Sequence, residues 1–135
     1  MSQLEDVFHV CLAGRIVSCD WDLIERLRSR YLVSVMEHVE VLLRHSFLNS
    51  THLLVVDCCE NAGIVTEILP LLRQRYPDLC VILVDGGLSQ KQIASAFQEG
   101  VKDYFASPYD VELLVERMDF LCMKLGTKVG NSETA

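Results

Sequence analysis

Residues 80–85, Cys-Val-Ile-Leu-Val-Asp, and residues 100–110, Gly-Val-Lys-Asp-Tyr-Phe-Ala-Ser-Pro-Tyr-Asp, bracket the stretch that decides the fold. The first segment is a short apolar run closed by a carboxylate, which is typical of a strand buried on both faces. Between the two segments, Ser89-x-x-Gln92 predicts a capping box that begins a helix, and Gly100 predicts the end of that helix. A second short strand follows within residues 100–110. The stretch therefore predicts a strand–helix–strand unit of a parallel sheet.

The same alternation of short apolar runs and helical periodicity extends over the rest of the chain. Pro70 interrupts one helical pattern, so that helix is expected to begin late, near Leu69, or to kink. Five strands alternating with five helices predict an α/β fold with a doubly wound parallel sheet. The predicted strands are Val7 to Leu12, Leu32 to Met36, Leu53 to Val56, Cys80 to Val84 and Asp103 to Ala106. The predicted helices are Trp21 to Tyr31, about Val39 to Phe47, Gly63 to Arg75, Ser89 to Gly100 and about Asp110 to Leu125.

Length, composition and charge narrow the function classes. The chain has 135 residues, half of them hydrophobic, which suits one domain with a real core. We expect residues 1–125 to form this domain and residues 126–135 to be a flexible tail or the stub of a linker. The net charge of −7 argues against nucleic acid as a partner. No apolar run reaches the roughly 20 residues of a membrane span, and the acidic start does not resemble a signal peptide, so we expect a cytoplasmic protein without a membrane contact.

The six cysteines do not form the pattern of a redox or zinc site. Cys11 and Cys80 lie in apolar runs, where cysteine behaves as a small hydrophobic residue. No C-x-x-C pair and no zinc-finger spacing occurs, so reduced, buried thiols are the simpler interpretation and a redox role the weaker one.

Two carboxylates follow neighbouring strands of the predicted sheet. Asp57 comes after the third strand and Asp85 after the fourth, at the edge where doubly wound sheets bind their ligands. Such a pair could serve acid/base catalysis or bind a small molecule. However, no nucleophile, metal motif or phosphate-binding loop accompanies it, so we do not expect an enzyme.

From Arg73 onward the sequence resembles the receiver domains of bacterial response regulators. Its segments Arg-Gln-Arg-Tyr-Pro-Asp-Leu-Cys-Val-Ile-Leu-Val and Ala-Phe-Gln-Glu-Gly-Val-Lys-Asp-Tyr-Phe-Ala-Ser-Pro-Tyr-Asp are similar to the family patterns R-x-x-x-P-x-x-P-V-I-x-L-T-A and A-x-x-x-G-A-x-D-Y-L-x-K-P-F. The resemblance covers roughly Val7 to Leu125. It implies the CheY-like, flavodoxin-like version of the doubly wound fold.

Receivers hold Mg²⁺ with an acidic pair after the first strand and phosphorylate an aspartate after the third. A hydroxyl after the fourth strand and a lysine after the fifth bind the phosphoryl oxygens. An aromatic residue on the fifth strand turns inward when the site is occupied. The resemblance places Asp57 as the phosphoacceptor and Tyr104 as the aromatic residue. The other positions differ from the family: Leu12, Ala13 and Gly14 replace the acidic pair, Asp85 the hydroxyl and Ser107 the lysine. The cis peptide that receivers often have here would be Ser107–Pro108.

This pattern predicts a degenerate pocket, a pseudo-receiver. An acyl phosphate carries about two negative charges, and here the expected neutralising groups are missing. A like-charge pair at about 4 Å, as between Asp57 and Asp85, costs on the order of 4 kcal/mol at an effective dielectric near 20. Asp20 and Asp22 are alternative metal ligands, but a helix cap and a first-turn acid are the more typical roles. We therefore expect no cofactor, with Mg²⁺ only if phosphorylation is retained.

The resemblance implies a signalling domain that acts by protein–protein contact, as a homodimer or with a fused output domain. The surface that receivers commonly use would comprise Lys91, Ser95, Tyr104, Glu112, Glu116 and Arg117. Two alternatives stay open. One is a working phosphoacceptor at Asp57 in a two-component phosphorelay, and the other is an enzyme or small-molecule binder that uses Asp57 and Asp85.

Overall fold

Five parallel strands form one sheet, in the order β2-β1-β3-β4-β5. The computed structural model describes residues 8–44, 46–59, 62–84 and 87–134. The predicted doubly wound sheet is confirmed, with small shifts at the strand ends: the first strand begins at His9 and includes Ala13, and the last ends at Phe105. The strands are β1 His9–Ala13, β2 Leu32–Met36, β3 Leu53–Asp57, β4 Cys80–Val84 and β5 Asp103–Phe105.

Helical segments connect the strands and cover both faces of the sheet. One hydrophobic core lies under the first and last helices, and the other lies under the second and third helices and the segment before β3. The side chains of β3 and β4 are buried along their whole length, which explains why both appear in the sequence as unbroken apolar runs. The α-helices are α1 Trp21–Arg28, α2 Ala62–Arg75, α3 Gln90–Gln98 and α4 Val111–Thr134.

The second crossover differs from the prediction. Instead of one α-helix over Val39 to Phe47, the chain forms two 3₁₀-helices, Val39–Arg44 and Ser46–Ser50. Leu42 and Leu48 are its buried anchors, and with Val39 they stand at multiples of three residues. That spacing matches three residues per turn and not 3.6, so the prediction of an α-helix here is wrong.

Helix α2 is continuous through Pro70, so it does not begin late, and a kink at Pro70 stays a prediction. The proline ring lies on the exposed side of the helix, away from the sheet. The helical spacing of apolar residues predicts that Ile64, Ile68, Leu69 and Leu72 face inward. The last three are buried, whereas Ile64 is half-buried and its neighbour Val65 is buried instead.

Helix α3 begins as predicted but faces the sheet differently. The Ser89 hydroxyl accepts the backbone N–H of Gln92, and the Gln92 side chain accepts the backbone N–H of Ser89, which is the predicted capping box. The apolar spacing predicts that Ile93, Ala94 and Phe97 face the core. Phe97 is 44% exposed, however, and Ala96 is the buried side chain of this helix. Because β5 has only three residues, α3 covers a narrow strip of sheet and needs few buried contacts.

Helix α4 extends to Thr134, so the prediction that it ends near Leu125 is wrong. The domain boundary after Leu125 stays a prediction. Helical spacing predicts that Leu113, Leu114, Met118 and Leu121 face inward. The last three are buried, whereas Leu113 is 55% exposed. Within the described ranges, no helix combines the length and the hydropathy that crossing a membrane requires.

Four cysteines are buried and two are exposed, and all six are free thiols. Burial raises the pKa of Cys11 to about 12 and the pKa of Cys122 to about 11. Such thiols carry almost no thiolate at neutral pH and are poor nucleophiles. The buried cysteines are therefore core residues, as predicted, whereas Cys19 and Cys59 lie at the surface.

Replacing Pro70 by alanine should stabilise the domain. A proline inside a helix costs about 3 kcal/mol relative to alanine, and up to about 1 kcal/mol of that is offset by the stiffer unfolded chain. We expect P70A to raise the free energy of unfolding by about 2 kcal/mol, measured by urea denaturation. Glu67→Ala, at an exposed position of the same helix, is the control and should change it by less than about 0.5 kcal/mol. A destabilised P70A protein would contradict this prediction.

Candidate functional site

The carboxyl edge of the sheet brings three strand ends together. Ala13 pairs with Val56 and Asp57 pairs with Val84, so Gly14 follows β1 directly beside Asp57. The register therefore places Asp57 at the centre of this edge, as predicted. Asp85 is the next residue after β4, and it lies outside the described residues.

The Asp57 carboxylate is buried and accepts backbone hydrogen bonds. The residue is only 2% exposed. The backbone N–H groups of Ile16 and Val17 donate to its Oδ2 at 2.8 and 3.0 Å, and that of Cys59 donates to its Oδ1 at 3.3 Å. Hydrogen bonds to an ionised acceptor are among the stronger ones in proteins. The β1–α1 loop thus folds over Asp57 and satisfies its charge with main-chain dipoles.

Gly14 makes this close approach possible. Its φ of +119° lies in a region that favours glycine, and its N–H donates to the carbonyl of Met36 at 2.8 Å. A Cβ atom at this position would overlap the Cγ and both carboxylate oxygens of Asp57. In the sequence, Gly14 stands out only because receivers have an acidic residue near this position. A glycine directly after a strand, beside an aspartate, was the available signal for this contact.

The space beside Asp57 is small. The cavity that the described residues line there has a volume of about 20 Å³. One water molecule needs about 10–15 Å³ on this measure, so the cavity holds about one water and not a phosphoryl group with its three oxygens. Its lining residues are Gly14, Arg15, Val39, Glu40, Asp57, Ile64 and Val65.

The residues that the structure describes at this edge do not fit the Mg²⁺ ion of a working receiver. Leu12 and Ala13, which stand in the positions of the acidic pair, are apolar and fully buried. The Asp57 oxygens that a cation would need face N–H donors, whose positive ends repel it. Across the part of the chain that the structure describes, no group of three His, Cys, Asp or Glu side chains could hold a metal.

Asp20 and Asp22 lie at the N-terminus of α1, in the cap and first-turn positions that the sequence predicts. Asp20 is the N-cap of α1, and its Oδ1 accepts the backbone N–H of Leu23 at 3.1 Å. Asp22 lies in the first turn and pairs with Arg26 at 3.0 Å. Both roles are the ordinary ones for acids at a helix N-terminus.

Tyr109 is a site residue that the sequence analysis missed. Its hydroxyl donates to Oδ2 of Asp20 at 2.6 Å and so joins the β5–α4 loop to the start of α1. Burial and the hydrogen bond to Asp20 raise the pKa of Tyr109, so it stays a neutral donor. Tyr109 follows the Ser107–Pro108 peptide, which is cis as the resemblance implied.

The other pocket residues lie on or after β5. Tyr104 is half-buried and packs against the core under α2 and α3. Ser107 follows two residues after the end of β5 and is also half-buried. Ser107 is neutral and cannot supply the positive charge of the lysine that receivers have at this position.

The predicted interaction surface lies along α3, β5 and α4, at the β5 edge of the sheet. Lys91 and Ser95 are exposed on α3, and Glu112 and Glu116 are exposed on α4. The sixth residue, Arg117, is half-buried, and its Nε lies 3.0 Å from Oδ2 of the β5 aspartate 103. Their joint use as an interface stays a prediction.

A larger cavity of about 930 Å³ opens at the opposite edge of the sheet. Its lining includes residues that precede the strands, such as Phe8, His52 and Lys102. Doubly wound sheets bind ligands at the carboxyl ends of their strands, so this cavity lies at the wrong edge for a site that uses Asp57.

Asp57→Ala should destabilise the domain, because three backbone N–H groups lose their acceptor. Each such loss costs about 1–3 kcal/mol, so we expect the free energy of unfolding to fall by about 3 kcal/mol in urea denaturation. If Asp57 were only repelled by neighbouring carboxylates, its removal would instead raise the free energy of unfolding, because the repulsion would be relieved. Asp22→Ala, at an exposed ion pair, is the control and should cost less than about 0.5 kcal/mol.

Gly14→Ala should cost more than the same change at Gly100. Both glycines have positive φ, but a Cβ at Gly100 would meet only Cδ of Arg73, at 4.0 Å. Backbone strain alone costs about 1–3 kcal/mol, which we expect for G100A, and G14A adds the overlap with Asp57. We expect G14A to lower the free energy of unfolding by more than about 3 kcal/mol in thermal or urea denaturation. Equal losses in the two variants would show that the close contact is not important.

Comparison with known proteins supports the fold. No family model and no curated protein matches the chain. A CheY-like response regulator receiver domain protein from Methanospirillum hungatei JF-1 is 15% identical, with a TM-score of 0.77 over 90% of this chain and 98% of that chain. A putative pilus assembly protein, CpaE, from Burkholderia thailandensis E264 is 18% identical, with a TM-score of 0.69 over 87% of this chain and 99% of that chain. An atypical orphan response regulator, described with a phosphorylation-independent regulatory mechanism, is 19% identical, with a TM-score of 0.70 over 86% of this chain and 96% of that chain. The chain thus has the fold of response regulator receiver domains.

Proposed function

We propose that this chain is a receiver-like signalling module that acts through protein contact and does not transfer phosphoryl groups. One observation carries the proposal: the Asp57 carboxylate is already used by the backbone of the β1–α1 loop. In this module Asp57 stands in the phosphoacceptor position but has a structural role. The domain keeps the receiver fold and lacks its chemical input.

Phosphorylation of Asp57 would require several unfavourable changes at once. A carboxylate oxygen must attack the phosphorus atom, and both oxygens accept backbone N–H groups. Breaking a hydrogen bond to a charged group costs about 1.5–3 kcal/mol. The loop would also have to move, because the cavity of about 20 Å³ cannot hold the incoming group. No cation from Mg²⁺ or lysine would offset these costs, since the residues at those positions are apolar or neutral.

The proposed contact surface comprises exposed parts of α3 and α4 together with the β5 strand between them. The ion pair between Arg117 and Asp103 connects α4 to β5 within this surface. Glu112, Glu116 and Lys91 supply exposed charge that could select a partner. A partner protein or a fused output domain would dock here.

The similar structures differ in what they are said to do. One is described as a response regulator and another as a putative pilus assembly protein. We therefore propose protein contact as the general output of this chain and do not assign it to transcription or to assembly. An enzyme or small-molecule binder that uses Asp57 is the weaker candidate, because the cavity beside that carboxylate holds about one water.

Phosphate transfer can be tested directly. The protein is incubated with acetyl phosphate and Mg²⁺ and then analysed by intact-mass spectrometry, with an ordinary receiver domain treated in parallel as the positive control. We expect no mass increase in this chain and a phosphoryl adduct on the control. Binding of beryllofluoride, followed by ¹⁹F NMR, should likewise fail. A phosphoryl adduct that disappears in Asp57→Asn would overturn the proposal.

A further inference from the structure

Strand β2 lies at one end of the strand order, beside β1, and directs part of its backbone outward. The Leu32 N–H and the Met36 carbonyl both bond to residues that flank β1, with N···O distances of 3.0 and 2.8 Å. The N–H and C=O of one strand residue point to the same side, and the side alternates along the strand. Leu32, Ser34 and Met36 therefore bond towards β1, whereas Val33 and Val35 direct their peptide groups away from the sheet.

This outer edge of β2 is open and apolar. Among the residues that the structure describes, none bonds to the outward peptide groups of Val33 and Val35. Natural proteins usually block such an edge with charged residues, proline or a bulge. The strand sequence Leu-Val-Ser-Val-Met has no charge and no proline, and its register with β1 is continuous. Leu32 is 60% exposed and Val35 is 47% exposed, so the edge also presents apolar side chains.

Opposite charges stand at the two ends of this edge. Arg30 lies shortly before β2, and its side chain is 54% exposed although it pairs with Asp119. Glu37 follows β2 directly, with a side chain that is 52% exposed. Two copies of the strand that paired in parallel would bring like charges together, whereas an antiparallel pair brings each acid to a base. Opposite charges across two strands stabilise their pairing, so the ends of β2 are complementary to those of a second, antiparallel β2.

We propose that the β2 edges of two copies of this chain pair antiparallel across a two-fold axis at Ser34, so that the two sheets become one. In that register Val33 of each copy lies opposite Val35 of the other, and the two residues exchange both N–H···O bonds. Glu37 of each copy lies beside the end of β2 that carries Arg30 in the other. The contact is self-complementary, as a two-fold interface requires. The inference goes beyond the proposed function, because it adds a surface at the edge of the sheet opposite to β5.

The side chains of β2 match in the same register. Directly opposed residues of two strands point to the same face of a sheet. On the face covered by α1 and α4, where Val33 packs, Val35 of one copy meets Val33 of the other. On the opposite face, where Met36 packs, it meets Leu32 of the second copy. Both contacts are apolar and cover side chains that are now exposed. A register centred on Val33 would instead place Leu32 opposite Ser34, which is a poorer match.

The contact is specific but small. A strand of five residues is about 17 Å long at 3.3–3.4 Å per residue. Few side chains take part, so the buried area falls at the small end of stable interfaces. We therefore expect a dimer that forms and dissociates with protein concentration.

Cysteine cross-linking tests the position of the axis. At the axis Ser34→Cys would lie opposite itself, with Cα atoms about 4.5 Å apart, which is within reach of a disulfide. Two copies of Leu32→Cys would lie more than about 13 Å apart. Both variants are made in a chain with Cys19→Ser and Cys59→Ser, which removes the exposed native thiols. With diamide, which oxidises two thiols to a disulfide, we expect S34C to form a linked dimer about tenfold faster than L32C, measured by non-reducing electrophoresis.

The comparison of these two variants contains its own control. Random collision would give the opposite order, because Leu32 is exposed and Ser34 is only half-exposed. S34C loses the contact between Ser34 Oγ and His9 Nε2, so its fold is checked by the thermal transition in circular dichroism.

Val35→Lys tests the edge without a cross-link. A lysine here would bring a charge into an apolar contact, so we expect dimerisation at least about tenfold weaker than in the wild type, measured by sedimentation equilibrium. Leu71→Lys is the matched control, because Leu71 is 45% exposed on α2, away from β2. It should leave dimerisation unchanged, and both variants should keep the wild-type thermal transition.

Three results would overturn the proposal. They are a wild-type chain that stays monomeric at the highest soluble concentration, L32C linking as fast as S34C, and L71K weakening the dimer as much as V35K. None of them bears on phosphotransfer. A phosphoryl adduct on Asp57 would overturn the proposed function and leave the pairing of β2 standing.

Discussion

The hydrogen bonds from Ile16 and Val17 to the carboxylate of Asp57 are the constraint on which the carboxyl edge of this domain depends. They fasten the loop after β1 to the end of β3. The same loop leads to the N-cap of α1, and there Tyr109 attaches the segment that precedes α4. A single buried charge thereby begins a series of contacts that reaches from the centre of the sheet to the helix at its outer edge.

The fold and the chemistry of receiver domains make separate demands on the sequence. The sheet, its register and its helices need only apolar strands and amphipathic helices, and this chain has both. The chemistry needs a carboxylate with free oxygens, a cation and room for a phosphoryl group. Asp57 alone is therefore a poor criterion of activity. The loop after β1 is the better criterion, because its backbone either leaves the carboxylate oxygens open or donates hydrogen bonds to them.

Most of the fold could be predicted from the sequence, because burial on both faces leaves apolar runs such as residues 53–56 and 80–84 that are easily recognised. The errors have local causes. Residues 39–50 follow a three-residue spacing that resembles a helical pattern when only its hydrophobicity is considered. Phe97 and Leu113 are apolar yet exposed, and hydrophobicity alone does not distinguish a core residue from a surface contact. The missing acidic pair, lysine and hydroxyl were also evident as residue types.

The bonding of Asp57 was not predictable, because backbone N–H groups leave no trace in the order of side chains. Gly14 was the one residue that marked it, and its meaning depends on a positive φ that the sequence does not reveal. Gly14 also has an evolutionary consequence. Introducing an acid at this position by one substitution would place its Cβ in the carboxylate of Asp57 and add a like charge. The loop would first have to release Asp57, which removes the bonds that now stabilise it. A route from this arrangement to an open Asp57 carboxylate thus passes through a less stable protein, so selection for stability alone preserves the contact between the loop and Asp57.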